Sequence, residues 1–225
     1  MIRENLQSIF RQIEGGNNLG EKITLVGATK TMSADVINQA ISYGLNFVAE
    51  NRVQEFREKT ESIIGAKQHF IGHLQTNKVK YLVGKVELIQ SVDSIRLAEE
   101  INKESIKKGV FQDILIEVNV GGELSKSGFD LKNTEKAVKE ISKLQNVKVR
   151  GLMAMLPRSE DETLLIELMD KMRALYDSLK DEYKFTYLSM GMSSDYLNAI
   201  KHGSNMIRLG RTIFGERKYN DGGKI

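Results

Sequence analysis

Eight short apolar runs, separated by segments with a helical repeat, constrain this chain more than any other feature of its sequence. Each run has the length of a β-strand, and its apolar residues are nearly continuous rather than alternating with polar ones. Such runs indicate parallel strands that are covered by helices. The runs span residues 22–29, 46–49, 68–72, 86–92, 113–120, 149–155, 186–189 and 205–209.

The segments between these runs place apolar residues three and four positions apart, as a helix with one buried face requires. Helices are predicted over 2–13, 33–43, 94–108, 160–182 and 196–201. Strands that alternate with helices in this way predict an α/β protein with a (β/α)₈ barrel, the TIM-barrel architecture. The alternative is an open doubly wound sheet, but its G-x-G-x-x-G motif does not follow the first strand. We therefore expect one barrel domain over 1–225, with an extra N-terminal helix and a flexible tail over 216–225.

The composition argues against several kinds of site and partner. The chain has no cysteine, which excludes a disulfide framework, thiolate catalysis and a cysteine zinc site. Its 33 basic residues nearly balance 30 acidic ones, and no apolar stretch reaches about 20 residues, so neither nucleic acid nor a membrane is an expected partner. The N-terminus resembles neither a secretory nor a transit signal, which favours a cytoplasmic protein. The three histidines lack the spacing of a metal site.

In a barrel of this kind the active site lies at the carboxyl ends of the strands. Lys30 ends the first apolar run, where burial disfavours the charged form of a lysine. A neutral lysine amine is the nucleophile that forms Schiff bases with aldehydes. Most lysines are solvated surface groups, so position alone makes Lys30 no more than a candidate. Polar residues at other strand ends are expected around the same mouth: Glu50, Asn51, His73, Gln75, Asp93 and Asn119.

The last two strand ends predict a phosphate site. The seventh strand leads into a small, hydroxyl-rich turn in which Ser193 or Ser194 is expected to cap the following helix. The eighth leads into Arg208, Gly210 and Arg211, where the glycine permits a close approach of the backbone. Loops at these two positions often bind phosphate in such barrels, because helix N-termini favour an anion.

Four blocks of the sequence carry a resemblance to a known family: 25–31, 49–55, 69–78, and 188–195 with 207–215. On these blocks the whole chain resembles the pyridoxal phosphate homeostasis proteins, known in bacteria as the YggS proteins and in humans as the proline synthetase co-transcribed homologue. The second block departs from the family at Ala49 and Arg52, where glycine and tyrosine are usual, but Glu50 and Asn51 are kept. The first block also varies, at 27–29.

The resemblance implies a barrel like the N-terminal domain of alanine racemase and a bound cofactor, pyridoxal 5′-phosphate. It implies that Lys30 holds this cofactor as a Schiff base. The other implied contacts are Asn51 and Met190 along the ring, Arg208 at the ring nitrogen, and Ser193, Gly210 and Arg211 around the phosphate. An arginine at the ring nitrogen stays charged and cannot accept the ring's proton, so the ring would be a weak electron sink.

Two functions are compatible with this resemblance. The first is a vitamin B6 homeostasis protein, a monomer that holds the cofactor, buffers its level and passes it to apo-enzymes, with no catalytic residues of its own. The second is an amino-acid racemase, which needs a second base that racemases take from a further domain; a chain that ends at Ile225 leaves no room for it. We expect the carrier. A third alternative is a barrel for another phosphorylated metabolite, with Lys30 as a simple charge.

Overall fold

The computed structural model is a closed barrel of eight parallel strands, each paired with the next in the chain and the last with the first. It describes residues 1–123, 126–157 and 159–216. All eight predicted strands are present, which confirms the barrel. The strands are β1 (Thr24–Ala28), β2 (Phe47–Glu50), β3 (Lys67–Phe70), β4 (Leu88–Val92), β5 (Gln112–Val118), β6 (Val147–Ala154), β7 (Tyr187–Ser189) and β8 (Met206–Leu209).

Helices surround the barrel, and every helix predicted from the sequence is present. The α-helices are α1 (Ile2–Ile13), α2 (Ala34–Ser42), α3 (Val53–Lys59), α4 (Ile95–Lys108), α5 (Leu131–Ile141), α6 (Glu162–Tyr183), α7 (Tyr196–Lys201) and α8 (Arg211–Phe214); 3₁₀-helices span Thr60–Ser62 and Thr76–Tyr81. The sequence patterns do not predict α3, α5, α8 or the two 3₁₀-helices. In α3 only Phe56 is buried, so its apolar face is too small to give a periodic signal.

Local side-chain signals fix several helix ends. The hydroxyl of Ser33 accepts a hydrogen bond from the Val36 N–H at the start of α2, and that of Ser94 accepts one from Leu97 at the start of α4. Gly109 ends α4 with a φ of 66°, a left-handed conformation that glycine adopts without steric cost.

The barrel interior is filled from alternate positions of the strands. One buried cluster contains the inward side chains Val26, Ala49, Leu88, Leu115, Met153 and Met206. The other side of the strands packs against the helices in two larger clusters. Because side chains alternate along a strand, residues two or four positions beyond an inward one reach the mouth of the same interior. This places Lys30, Asn51 and Arg208 at the mouth.

The extra N-terminal helix, α1, buries Leu6, Ile9 and Ile13 against the barrel. Its Asn5 side chain donates a hydrogen bond to the Ile213 carbonyl in α8 over 3.0 Å, so α1 and α8 are joined. No helix in the described ranges is both long and apolar enough to cross a membrane. The tail that we expect to be flexible, 216–225, lies outside the described residues apart from Glu216.

Candidate cofactor site

A cavity of about 330 Å³ opens at the carboxyl ends of the strands. Its wall includes Lys30, Asn51 and Arg208, so the structure brings together three of the residues expected to contact the cofactor. A mixture of apolar side chains and a few convergent polar groups is typical of small-molecule sites. The other wall residues are Ala28, Ile71, Gly72, His73, Glu117, Val118, Asn119, Lys126, Ser127, Met155 and Met192.

Lys30 stands on a tight turn that directly follows β1. The next residue, Thr31, has a φ of 69°, in the left-handed region that β-branched residues rarely adopt. Its backbone N–H donates a hydrogen bond to Glu55 Oε2 over 2.8 Å. Strain of this kind costs on the order of 1–3 kcal/mol and persists only where surrounding contacts impose it. The Lys30 turn is therefore held by its surroundings.

Lys59, the last residue of α3, provides much of that support. Its side chain is only 12% exposed. Its Nζ donates hydrogen bonds to the carbonyls of Thr29 at 3.3 Å and Met32 at 3.0 Å, on either side of Lys30. One ammonium group thus holds both flanks of the Lys30 turn.

Two carboxylates complete this arrangement, which we call the Lys59 clamp. Lys59 Nζ lies 2.9 Å from both Glu50 Oε1 and Glu55 Oε2. The Thr29 hydroxyl also donates to Glu50 Oε1, at 2.7 Å. Burial raises the pKa of Glu50, while the hydrogen bonds from Lys59 and Thr29 oppose that rise. The clamp joins the ends of β1 and β2 to α3.

Arg208 is held by a chain of hydrogen bonds inside the barrel. Its guanidinium donates to Ser189 Oγ at 2.6 Å and to the Ala154 carbonyl at 2.8 Å. The Ser189 hydroxyl donates to Gln90 Oε1 at 2.7 Å, and Gln90 Nε2 lies 3.0 Å from His69 Nδ1. The arginine therefore has a fixed position in the cavity wall.

The protonation states along this chain follow from burial. Burial lowers the pKa of His69 to about 3, so the imidazole is neutral at neutral pH and its Nδ1 accepts the proton of the Gln90 amide. Burial also lowers the pKa of Arg208 to about 10, with Asp195 and Glu117 opposing the change. Arg208 remains a cation at neutral pH.

Glu117 is a second buried carboxylate, on the inward side of β5. Burial, with a smaller contribution from Asp93, raises its pKa to about 7, against the opposing charges of Arg208 and His73. His73 itself is exposed, and its Nδ1 lies 3.1 Å from Asp93 Oδ2. The cavity wall therefore carries a carboxyl group that changes its charge near neutral pH.

The loops after β7 and β8 differ from the predicted cap. Neither Ser193 nor Ser194 caps α7: the N-cap residue is Asp195, which makes no side-chain capping hydrogen bond. The Ser193 hydroxyl instead accepts a hydrogen bond from the Thr212 N–H at 3.3 Å, because the two loops are adjacent. Ser193 thus bridges the loops that were expected to bind phosphate.

Gly210 and Arg211 lie at the start of α8. A Cβ atom on Gly210 would lie 3.3 Å from the Ala28 carbonyl oxygen, so this loop packs closely on the end of β1. Arg211 is exposed and is the first residue of α8. Gly210, Arg211 and Ser193 do not line the 330 Å³ cavity; they lie beside it on the adjoining loops.

Met190 does not reach the cavity wall. It is fully buried and belongs to the cluster between the strands and the helices. Ser189 points inward on β7, so the next residue faces outward. Gly191, with a φ of 97°, then redirects the backbone, and Met192 lines the cavity instead.

Two features of the wall fit a bound cofactor. Asn51 Oδ1 and Asn119 Oδ1 are buried acceptors without a hydrogen-bond partner among the described residues, and both residues line the cavity. Buried acceptors of this kind are normally satisfied, so a ligand with donor groups would complete them. The wall also supplies an amine at Lys30, a cation at Arg208 and apolar surface at Met155. These groups fit pyridoxal phosphate.

Comparison with known families agrees with this geometry. The family described as the N-terminal domain of alanine racemase matches residues 2–218. The pyridoxal phosphate homeostasis protein of Aquifex aeolicus is 44% identical over 97% of this chain and 96% of its own length. The protein of the same name from Escherichia coli K12 is 34% identical over 89% and 88%. This chain belongs to the pyridoxal phosphate homeostasis protein family.

Solved structures extend the comparison. The family member PipY of Synechococcus elongatus PCC7942, solved with PLP bound, superposes with a TM-score of 0.84 at 29% identity, over 96% of this chain and 100% of its own. The same protein without PLP gives a TM-score of 0.87 at 30% identity. Alanine racemase of Clostridium difficile 630 gives 0.79 at 17% identity, over 98% of this chain and 57% of its own, which shows the shared barrel fold.

Several residues in and around the candidate cofactor site were not predicted from the sequence. Lys59 lies on a short helix with no periodic signal, and Lys126 and Ser127 lie in a loop. Glu117 left a usable signal, because it is an acid that directly follows the apolar segment Ile114–Ile116 within a predicted strand. Alternation from Leu115 would have placed it inside the barrel.

Proposed function

We propose that this chain binds pyridoxal 5′-phosphate as a Schiff base on Lys30 and takes part in the intracellular homeostasis of vitamin B6. The observation that carries this proposal is Lys30 on a clamped turn at the wall of a cavity that also contains Arg208. The names of the relatives and the PLP-bound PipY structure support it. When bound, the cofactor supplies an aldehyde to which a lysine amine attaches reversibly.

The chain's own residues divide the binding between them. Lys30 provides the covalent attachment, and the Lys59 clamp keeps its turn in place. Asn51 offers a buried acceptor along the ring, with Met192 beside the ring and Met190 supporting that loop from the core. The phosphate is assigned to the joined loops of Ser193, Gly210 and Arg211, because backbone N–H groups and a cation favour an anion there.

Arg208 bears on the chemistry of the bound ring, and the names of the relatives bear on the choice between carrier and racemase. A ring nitrogen that faces a permanent cation is not protonated, so the cofactor withdraws electrons weakly. This limits carbanion chemistry but does not forbid racemisation, because alanine racemases also use an arginine there. Ser189 and the Ala154 carbonyl hold Arg208 in this role. Relatives are named as homeostasis proteins rather than as enzymes. The racemase alternative rests on the match to the alanine racemase N-terminal domain and on the shared fold.

The finer features of the function are also proposals. The protein acts in the cytoplasm as a monomer, as a single cofactor-binding domain that passes the cofactor to apo-enzymes. Balanced surface charge supports a freely diffusing protein that meets many partners.

An absorbance titration with pyridoxal phosphate tests the attachment. Wild type is expected to develop a band near about 420 nm, and borohydride is expected to fix the cofactor on Lys30. Lys30→Ala should lose both signals. Lys22→Ala is the matched control, since Lys22 is an exposed lysine just before the opposite end of the same strand. A colourless wild type, or full trapping in Lys30→Ala, would contradict the proposal. Rapid exchange of an amino-acid α-proton by the loaded protein would overturn the carrier in favour of the racemase.

A further inference from the structure

A second cavity lies beside the cofactor cavity. Its volume is about 290 Å³, and it lies between α3 and the 3₁₀-helix Thr76–Tyr81. It shares Asn51 and His73 with the first cavity. The remaining wall residues are Arg52, Val53, Gln54, Arg57, Gln75, Lys78 and Tyr81.

The second cavity is strongly cationic. Arg52, Arg57 and Lys78 line it, and no carboxylate does. Within the described ranges none of the three forms an ion pair. A cluster of cations without carboxylate partners is the arrangement that protein sites use to bind phosphate.

Glu55, whose carboxylate interacts electrostatically with Arg52, is also engaged in the Lys59 clamp. Burial alone would raise the pKa of Glu55, but hydrogen bonds from the Thr31 N–H and Lys59, together with the charge of Arg52, lower it. Its Oε2 accepts from both Thr31 and Lys59, inside the Lys59 clamp. Since no carboxylate lies in the wall itself, the second cavity keeps an excess of positive charge.

Tyr81 fixes the position of two of the cations. The Arg57 guanidinium carbon lies 4.4 Å from the centre of the Tyr81 ring, and Lys78 Nζ lies 5.9 Å from it. Cation–π contacts at such distances restrict both side chains, which reduces the entropy lost when they bind a ligand. The cations are therefore preorganised.

Arg52 adds a charge that the family pattern lacks. The second sequence block reads Ala-Glu-Asn-Arg at 49–52, where the resembled family usually has a tyrosine in the last place. An arginine there brings a guanidinium that can form two parallel hydrogen bonds to a phosphate. The substitution provides its own matched variant, Arg52→Tyr.

We propose that the second cavity binds a small phosphate monoester, through the cations of Arg52, Arg57 and Lys78. A dianion matches three cations better than a single carboxylate does, and a cavity of this volume suits a small molecule. Binding at this site does not depend on the proposed function.

Calorimetric titration of the borohydride-reduced holoprotein tests this site. The reduced cofactor keeps the first cavity filled, so added ligand can reach only the second. Inorganic phosphate and glycerol phosphate are titrated separately, which distinguishes free phosphate from a monoester. We expect saturable binding of glycerol phosphate, weakened roughly tenfold or more by Arg57→Gln or Lys78→Gln and about threefold by Arg52→Tyr. Lys85→Gln, an exposed lysine outside the cavity, should bind as wild type does.

Several results would overturn the proposal. They are an absence of saturable binding, equal affinity in wild type and Lys78→Gln, or equal weakening in Lys85→Gln. Tighter binding of inorganic phosphate than of the monoester would reject the monoester as the ligand. Stronger binding of a glutamate-rich peptide would assign the surface to a protein partner instead. If Lys30 does not take up cofactor, the proposed function fails, but the same titration of the unreduced protein still tests this second cavity.

Discussion

Two buried carboxylates near the cofactor cavity are used in opposite ways. Glu50, at the end of β2, faces outward and accepts hydrogen bonds from Lys59 and Thr29. Glu117, on β5, faces the barrel interior, and burial raises its pKa to about 7. The first is paired with a cation that supports the Lys30 turn. The second gives the cavity a charge that depends on pH.

The difference follows from the face of the strand on which each side chain lies. The outward residue meets the helix layer, where α3 can supply a partner, and so Glu50 becomes part of the scaffold. The inward residue meets the ligand cavity, where a partner would occupy the space of the ligand. The Glu50 side of the site is therefore held rigidly by the Lys59 clamp. On the Glu117 side, the charge of the wall depends on pH and on what the cavity holds.

The largest effect is expected on the rigid side, from Lys59→Met. Removing the ammonium leaves Glu50 buried without its counter-ion, which should lower the free energy of unfolding by about 3–5 kcal/mol. The Lys30 turn should also loosen, so the affinity for pyridoxal phosphate should fall. Urea unfolding and the absorbance titration measure the two effects.

Lys67→Met is the matched control for this change. Lys67 pairs with Glu87 at 2.7 Å, but its side chain is 59% exposed, so its loss should cost about 1 kcal/mol or less. Equal losses in the free energy of unfolding for the two substitutions would show that the Lys59 clamp stabilises the fold no more than an exposed ion pair does. Unchanged cofactor affinity in Lys59→Met would show that it does not position Lys30.

A smaller effect, with a pH dependence, is expected from Glu117→Gln. The folded protein keeps the Glu117 proton up to a pKa of about 7, against a reference value of 4.5, so folding takes up a proton between these values. The ionised carboxylate is then increasingly unfavourable in the folded state as the pH rises. As the pH rises from 5 to 8, the free energy of unfolding of Glu117→Gln should therefore increase by about 2 kcal/mol relative to that of wild type.

Unfolding curves at several pH values check this expectation. Glu135→Gln, which removes an exposed carboxylate on α5, is the control for the loss of one carboxyl group. A stability difference between Glu117→Gln and wild type that does not change with pH would mean that Glu117 does not titrate between these pH values.

The smallest effect is expected from Thr31→Gly. Glycine adopts a φ of 69° without steric cost, but it also makes the unfolded chain more flexible, so the two terms partly cancel. The variant should be more stable than wild type by about 1 kcal/mol or less, with the hydrogen bond to Glu55 intact. Lys184→Gly, at the second left-handed non-glycine residue of the described ranges, is the control for the release of backbone strain alone. A clear loss of stability in Thr31→Gly would show that the threonine side chain itself is needed.

The sequence predicted the barrel because its strands are buried on both faces, and continuous apolar runs record that burial directly. Lys30, Asn51 and Arg208 were predicted because each stands at the end of a strand, and the resemblance to the family implied their roles toward the cofactor. The sequence missed the Lys59 clamp, since a lysine on a short polar helix looks the same whether it is solvated or buried among carbonyls. The cap at Ser193 was wrong because a serine hydroxyl serves whichever N–H the tertiary fold brings near, and here that is the N–H of Thr212.

The hydrogen-bond chain behind Arg208 also bears on how this protein can evolve. An aspartate in its place would make the bound ring a stronger electron sink. However, that change would leave the Ala154 carbonyl and the Ser189 hydroxyl without their donor and would bury a second acid near Glu117. Gln90 and the neutral His69 would have to rearrange as well. Replacement of Arg208 by an acid thus requires several coordinated substitutions, so a single mutation does not readily change the electronic character of the bound ring.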